Sequence, residues 1–173
     1  MDLVLRRLRP EDEEKFISSP LAAQPYSYYQ PGMDFAAYLA RLDEVLEGVD
    51  LPTSHVPNAR HYGFVNGEIV GGVSIRLELK GMLVTLGGHI GYQVLEPYRR
   101  RGYATEMLRQ ALPICAGFGL KSVLVTCDAD NIASKKIIEA NRGVYESTIE
   151  NARLRAPKLR YWVATEQSGF AEY

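Results

Sequence analysis

Three consecutive arginines, Arg99 to Arg101, stand in the segment Val94–Thr105 (VLEPYRRRGYAT), directly before Gly102. Arginine guanidinium groups donate hydrogen bonds that match phosphate oxygens, and a glycine lets the backbone approach a ligand closely. The apolar spacing that begins at Ala104 places the end of this segment in the first turn of a helix, where unpaired amides bind phosphate. Thr105 adds a hydroxyl to that turn. The segment is therefore suited to bind a pyrophosphate group.

The elements that must position this segment follow from hydrophobic periodicity and turn residues. Apolar residues that recur every three or four positions from Ala104 to Cys115 predict an amphipathic helix, and the run SVLVTC predicts a buried strand at 122–127. Asn66-Gly67 is a strong hairpin signal between two predicted strands. In chain order, the other predictions are a strand at 2–8, a helical turn at 11–16, a loop at 18–32, a helix at 33–46, a loop at 48–60, three antiparallel strands at 61–65, 68–79 and about 84–95, a helix at 132–141, and strands at 144–149 and 160–165.

Length and composition describe an ordinary globular chain. The 173 residues are enough for one domain, predicted over 1–173 with a loose tail at 165–173. Lys and Arg total 20 and Asp and Glu total 21, so the net charge of −1 gives no overall field toward nucleic acid or an anionic membrane. We therefore expect neither as a partner, although the cluster at Arg99–Arg101 keeps nucleic acid as a weak alternative.

Cysteine and histidine usage point to the cytoplasm and against a metal. The N-terminus lacks the apolar run of a signal peptide, and no stretch is long enough to span a membrane. Cys115 and Cys127 without secretory context favour reduced thiols and a cytoplasmic protein. The three histidines, His55, His61 and His89, have no metal-ligand spacing, so no metal is expected.

The motif Arg99-x-x-Gly102-x-Ala104 resembles the Q/R-x-x-G-x-G/A pyrophosphate loop of the GNAT N-acetyltransferases. The segment Asp130–Ser134 is similar to the second cofactor-side motif of that family, and Arg160-Tyr161-Trp162 to its final strand. The resemblance covers roughly residues 60–165. It implies an α+β acyl-CoA N-acyltransferase fold, with a central, mostly antiparallel sheet of six or seven strands, one parallel pair that splays, and flanking helices.

The resemblance also implies acetyl-CoA as cosubstrate and an amine as acceptor. In such enzymes the strand before the loop binds pantetheine through its backbone, which here means Gln93, Val94 and Leu95. Asn131 and Ser134 would contact the pantetheine arm, with a simple helix cap as the alternative for Asn131. The residues implied around the pyrophosphate are Arg99, Arg100, Arg101, Gly102, Tyr103, Ala104 and Thr105.

Direct attack by an amine needs a base, for which we predict His89. An imidazole suits proton transfer at neutral pH, and the resemblance places His89 near the base of the histone-modifying branch. A histidine that is simply hydrogen-bonded within a strand is the alternative. Glu78 and His61 are weaker candidates for the base, and a base that acts through water is also possible.

The general acid that many family members use is missing from its usual position. Those members place a tyrosine seven residues after the motif asparagine, and here that residue is Ile138. We predict Tyr145 as the substitute, with Tyr92 and Tyr103 as alternatives. Departure of the thiolate without a dedicated acid also remains open, since a thiol pKa near 8.5 makes it a tolerable leaving group.

The tyrosine-rich loop is predicted to form the acceptor side of the site. Its aromatic side chains, from Tyr26, Tyr28 and Tyr29, could cover an amine by cation–π contact, or could simply pack the loop on the sheet. A small molecule and a peptide amine both remain possible acceptors. A homodimer is plausible by resemblance, and a non-catalytic acyl-CoA binding module is the alternative function.

Overall fold

The computed structural model describes residues 2–151 and 153–166. Strands β1 (Val4–Arg6), β2 (Asn58–Val65), β3 (Glu68–Arg76) and β4 (Ile90–Val94) form one sheet in that order, and every pairing in it is antiparallel. Strands β5 (Ser122–Asp128), β6 (Val144–Ile149) and β7 (Lys158–Ala164) form a second antiparallel sheet in the order β5-β7-β6. The predicted α+β class with mostly antiparallel strands is confirmed, but among the described residues the predicted single sheet of six or seven strands is divided into sheets of four and three strands.

In the described part of the chain, four α-helices flank the sheets. They are α1 (Glu13–Ile17), α2 (Phe35–Glu47), α3 (Tyr103–Gly117) and α4 (Ile132–Ala140), with short 3₁₀ turns at Pro10–Asp12 and Glu96–Tyr98. Helix α2 begins where the Asp34 carboxylate accepts from the Ala37 amide, and it ends at Gly48 with φ of 80°. Within residues 2–151 and 153–166, no helix has the length and apolarity needed to cross a membrane.

The two sheets meet at one backbone contact. His89, just before β4, donates its N–H to the Leu124 carbonyl in β5 over 2.7 Å. Beyond this contact, the described residues of β4 and β5 share no hydrogen-bonded ladder. The predicted parallel pair is therefore joined at a single point, and the gap beyond it is called the strand cleft below.

The prediction of one long strand over 84–95 is wrong in its first half. Leu83–Gly87 forms a π-helical turn, which the bond from the Gly88 N–H to the Leu83 carbonyl closes over 2.8 Å. Gly88 has φ of 67°, and a Cβ there would lie 2.5 Å from the Leu124 carbonyl oxygen. Close contact with β5 thus overrides the strand propensity of the apolar residues before it.

Other boundaries also differ from the predictions. Strand β2 begins at Asn58, inside the predicted loop 48–60, and β1 is confined to Val4–Arg6. Thr165 is buried, and its N–H and hydroxyl donate to the carbonyls of Lys121 and Leu120. The predicted loose tail therefore does not begin at 165, and its residues 167–173 lie outside the described residues.

Two apolar clusters pack on opposite faces of the first sheet. One lies under α3, where Met107, Leu108 and Leu112 are fully buried against β3 and β5 residues. The other holds Phe16 and Tyr38 of α1 and α2. Burial on both faces fixes the orientation of β3 and β4, the strands that border the site.

Candidate active site

Strand β4 presents alternate backbone groups to the strand cleft. On its paired side, the Arg76 N–H donates to the His89 carbonyl over 2.7 Å, and the Leu95 N–H donates to the Val70 carbonyl over 2.9 Å. Bonded and non-bonded pairs alternate along an antiparallel ladder. The backbone N–H and C=O groups of Gly91 and Gln93, which are an even number of residues from His89 and Leu95, therefore point toward β3. The residues whose backbone groups point toward the cleft are Ile90, Tyr92 and Val94.

Only one of the three residues predicted to bind pantetheine through the backbone has this orientation. Val94 faces the strand cleft, and its carbonyl also accepts from Arg99 Nε over 3.1 Å. Gln93 turns its backbone toward β3, and both backbone groups of Leu95 are already bonded, the carbonyl to the Tyr98 N–H at 2.9 Å. The register therefore leaves the backbone of Gln93 and Leu95 no free group toward the strand cleft, and Tyr92 is a further residue whose backbone groups face it.

The predicted pyrophosphate loop forms the turn between β4 and α3. Arg100 has φ of 62° and Gly102 has φ of 80°, and Gly102 is the N-terminal cap residue of α3. The first helical bond in this turn runs from the Glu106 N–H to the Gly102 carbonyl, over 3.1 Å. The amides of Tyr103, Ala104 and Thr105 precede that bond and have no partner in the described residues, as expected for a helix start.

The three arginines of this loop are exposed and not ion-paired. Arg99, Arg100 and Arg101 have no carboxylate within salt-bridge distance in the described part of the chain. The Arg101 guanidinium lies 6.0 Å from the centre of the Tyr98 ring. Positive charge and unpaired amides therefore coincide at the start of α3, a combination that binds phosphate groups.

Helix α4 forms the far wall of the strand cleft. The Asn131 side-chain oxygen accepts from the Ser134 N–H over 3.1 Å, so Asn131 caps the helix, and its amide nitrogen donates to no described residue. The Tyr92 hydroxyl donates to the Ser134 carbonyl over 3.4 Å, which links β4 to α4. Burial raises the pKa of Tyr92 to about 12, so this phenol stays protonated.

His89 is part of the junction between the sheets. Its Nδ1 accepts from the Leu124 N–H over 2.9 Å, and its ring lies 6.1 Å from the Trp162 ring, centre to centre. Burial, with a further contribution from the charge of Arg76, lowers the pKa of His89. In the neutral ring, an accepting Nδ1 requires the proton on Nε2. The ring then has no free lone pair with which to take a proton from an amine.

A cavity of about 500 Å³ lies on the other side of β4. Gly91, Tyr92 and Gln93 line it, so β4 borders both this cavity and the strand cleft. Tyr26 and Tyr28 of the predicted acceptor loop line it as well. Tyr29 does not, because its ring packs edge-on against Phe16 and Tyr38 in the core.

Several polar residues of the cavity were not identified as site residues from the sequence, among them His55, Asn58, Arg60 and Arg76. His55 Nδ1 lies 3.0 Å from the Tyr28 hydroxyl, and the Asn58 amide donates to that hydroxyl over 3.4 Å. Arg60 and Arg76 also line the cavity. Asn58 and Arg60 alternate along β2, and strand periodicity would have placed them on one face if 58–60 had been assigned to the strand.

Tyr145 lies away from both openings, contrary to its predicted role as acid. It is on β6, which β7 separates from β5. Its side chain is largely exposed, and its hydroxyl lies 2.8 Å from Thr148 Oγ1.

Ile138 is fully buried in the core. Glu78 is exposed beyond the end of β3, and His61 is buried with burial lowering its pKa to about 4.

Metal ligation has no support in the described residues. Across 2–151 and 153–166, no group of three or more His, Cys, Asp or Glu side chains could hold a metal ion. Asp128 and Asp130 are instead engaged by Arg155.

Solved structures share this architecture at low sequence identity. The RimJ protein of Mycobacterium smegmatis, solved with a CoA disulfide, aligns with a TM-score of 0.62 and 19% identity over 94% of this chain and 81% of its own. YncA of Salmonella typhimurium, a putative acetyltransferase solved with acetyl-CoA, gives 0.60 and 11% over 96% of both chains. A chimera of Vibrio cholerae SpeG, a spermidine N-acetyltransferase, and hSSAT gives 0.59 and 14% over 95% and 96%.

No curated protein matches the chain. The sequence model of the acetyltransferase (GNAT) domain matches residues 2–144, most of the chain. This match agrees with the shared fold and with the loop between β4 and α3. The chain belongs to the GNAT acetyltransferase family.

Proposed function

We propose that this protein transfers an acetyl group from acetyl-CoA to a primary amine by direct attack in a ternary complex. The observation that supports this best is the position of β4, which borders the strand cleft on one side and the cavity on the other. An acyl group held along β4 would meet an amine bound in the cavity. A module that only binds acyl-CoA has no need of this second opening.

Acetyl-CoA would bind with its pyrophosphate at the start of α3 and its pantetheine arm in the strand cleft. The backbone groups of Tyr92 and Val94 face the arm, and the free amide of Asn131 lies on the opposite wall. Ser134 lies beside it in the first turn of α4. The loop residues proposed to hold the pyrophosphate are Arg99, Arg100, Arg101, Gly102, Tyr103, Ala104 and Thr105. YncA and RimJ, which were solved with acetyl-CoA and a CoA disulfide, support the choice of cosubstrate by analogy.

The chemistry requires a neutral amine, a stabilised oxyanion and a departing thiolate. We do not propose His89 as the base, because the Leu124 N–H occupies its Nδ1. Proton removal through water in the cavity fits better, since the cavity has several polar side chains around it. The Tyr145 hydroxyl is bonded to Thr148 on the outer strand β6, so we do not propose it as the acid. Tyr92, whose hydroxyl donates to the Ser134 carbonyl across the cleft, is the alternative to departure of the thiolate without a dedicated acid.

Both cysteines support a reducing compartment. Cys115 and Cys127 are free thiols and are buried, and burial raises the pKa of Cys115 to about 12, which keeps it unreactive. We place the enzyme in the cytoplasm on this basis.

The direct test is calorimetric titration with acetyl-CoA, followed by thiol release with a panel of amines. Binding followed by release with at least one amine supports the transferase. Binding without release on any amine would favour the non-catalytic module. No binding would remove the proposal altogether.

A further inference from the structure

We infer that the amine acceptor is a small molecule that also has an anionic group, which Arg60 and Arg76 bind in the cavity. This inference rests on the proposed transferase function and specifies its substrate class. It depends on the charges of the cavity and on the unused donors of its two arginines.

Arg60 points its guanidinium at the acceptor side of the cavity. Its Nη2 donates to the Tyr26 carbonyl, and its Cζ lies 5.9 Å from the centre of the Tyr28 ring. Its Nε is buried and has no hydrogen-bond partner in the described residues. A buried N–H of a cation without an acceptor is costly, and a ligand oxygen would remove that cost.

Arg76 places its guanidinium over β4. A Cβ on Gly91 would lie 3.6 Å from Arg76 Nη2 and 3.9 Å from Nη1, so the guanidinium lies within van der Waals distance of β4. Both of its hydrogen bonds come from Nη1, to the carbonyls of Gly87 at 3.3 Å and Gly88 at 3.0 Å. Its Nη2 and Nε donate to nothing else in the described part of the chain, and they remain available to a ligand.

Among the described residues, the cavity is lined by two guanidinium groups and no carboxylate. None of its lining residues is Asp or Glu, and neither arginine forms an ion pair with a described residue. The partial burial of Arg76 and the nearby charge of Arg60 both lower the pKa of Arg76. Two like charges in one partly buried space are unfavourable unless an anion joins them.

The geometry restricts the acceptor further. Arg76 lies against the same strand along which the acyl group would be held, so an anion on the arginines keeps the rest of the ligand close to β4. A cavity of about 500 Å³ suits a small molecule. A polyamine such as spermidine, the substrate named for the Vibrio cholerae relative, would place further positive charge beside two arginines. We therefore expect this chain to disfavour it.

The inference can be tested with acceptor pairs that differ only in the anion. The probes are methionine and methioninamide, tyrosine and tyrosinamide, and 2-aminoethylphosphonate and ethanolamine, with spermidine as a cationic probe and two tetrapeptides with acidic or neutral side chains. The measurement is thiol release from acetyl-CoA, reported as kcat/KM. We expect the anionic member of at least one pair to be preferred by tenfold or more. Comparison of the preference for the amino acids with the preference for 2-aminoethylphosphonate shows whether a carboxylate or a phosphonate is recognised.

Variants then assign the preference to the arginines. Arg60→Gln and Arg76→Gln should each raise the KM for the anionic acceptor about ten- to a hundredfold, with the KM for acetyl-CoA unchanged. Arg76→Lys, which keeps the charge but not the planar fork, should recover part of the loss. Arg9→Gln removes an exposed charge outside the cavity and is the matched control. Thermal unfolding of each variant separates a folding defect from lost recognition.

If no probe reacts, a binding measurement tests the inference instead. Calorimetric titration of the CoA complex with N-acetylmethionine and with its amide needs no turnover. Equal affinity for the two, or equal kcat/KM within every pair, would overturn the anionic class while the transferase stands. Preference for the acidic tetrapeptide over every free amino acid would overturn the small-molecule class. Failure to bind acetyl-CoA would instead remove the proposed function.

Discussion

His89 and Leu124 are bonded to each other twice. The His89 N–H donates to the Leu124 carbonyl over 2.7 Å, and the Leu124 N–H donates to His89 Nδ1 over 2.9 Å. This pair is the point at which the first sheet joins the second and at which the strand cleft begins. The imidazole therefore substitutes for a peptide carbonyl at the end of a ladder that continues no further.

Replacement of His89 should expose this structural role. His89→Ala removes the acceptor of a buried N–H, and we expect a loss of about 1–3 kcal/mol in the free energy of unfolding. His89→Asn places a side-chain oxygen at the position of Nδ1, so it should retain most of the stability and most of kcat. Urea denaturation and steady-state kinetics on the two variants provide the comparison.

The two variants distinguish a structural role of His89 at the junction of the sheets from a catalytic role as the general base. Asparagine cannot accept a proton at neutral pH, so a catalytic His89 would lose turnover equally in His89→Asn and His89→Ala. Equal loss of kcat, in proteins that remain folded, would restore His89 as the base.

Gly88 should be intolerant of any side chain. Its φ of 67° and ψ of −174° belong to a region that is almost limited to glycine, and an added Cβ would lie 2.5 Å from the Leu124 carbonyl oxygen. We expect Gly88→Ala to lower the free energy of unfolding by about 3 kcal/mol or more. Gly81→Ala is the matched control, because Gly81 also has a positive φ, 56°, but no atom lies within 4 Å of its added Cβ. That control should cost only about 1 kcal/mol, and similar losses at both sites would contradict the close approach of Gly88 to β5.

Charge reversal in the loop before α3 should weaken acetyl-CoA binding. In Arg100→Glu and Arg101→Glu a carboxylate would face the pyrophosphate, and we expect each change to lower the affinity at least tenfold. The dependence of the affinity on salt concentration should also become shallower. Calorimetry at two ionic strengths measures both effects, with Arg9→Glu as an exposed control. Wild-type affinity in both variants would mean that the phosphates bind elsewhere.

The sequence predicted the cofactor side of the site better than the acceptor side. The loop at Arg99–Thr105 is local, since its chemistry and the start of α3 lie in one short segment that periodicity can place. The cavity instead depends on which face of β2 and β3 bears Arg60 and Arg76, and the assignment of 48–60 to a loop concealed that. Tyr145 was misplaced for a similar reason, because strand order in the second sheet is not readable from the chain order.

Tyr145 should be dispensable for turnover. Its hydroxyl bonds to Thr148 on an outer strand and faces solvent, so removal of this oxygen leaves both the strand cleft and the cavity unchanged. We expect Tyr145→Phe to keep kcat within about twofold of wild type, since surface changes away from a site have small effects. The pH dependence of kcat should also be unaltered. A tenfold fall in kcat in a folded variant would return Tyr145 to the role of general acid.

Buried His61 should make stability depend on pH in a defined window. Burial, with a smaller contribution from Arg7, lowers its pKa from 6.5 to about 4 in the folded protein. Between these two values the unfolded chain binds the proton and the folded chain does not, so stability rises with pH across this window and is level above 6.5. Each pKa unit corresponds to 1.36 kcal/mol, so the loss between pH 6.5 and pH 4 is about 3 kcal/mol. Urea denaturation at pH 7.0 and pH 4.5 measures most of this loss, about 2.5 kcal/mol.

The variant His61→Phe isolates this contribution from that of the carboxylates. Asp12 and Asp128, whose folded pKa values arginine and lysine partners lower, stabilise the fold above their unfolded pKa and lose that contribution as the pH falls further. These terms are common to both proteins and cancel in the difference. The ring of phenylalanine fills the same space without a titrating nitrogen, so the variant should lose less stability than wild type between pH 7.0 and pH 4.5. An identical loss in the two proteins would show that His61 is protonated as easily in the folded chain as in the unfolded one.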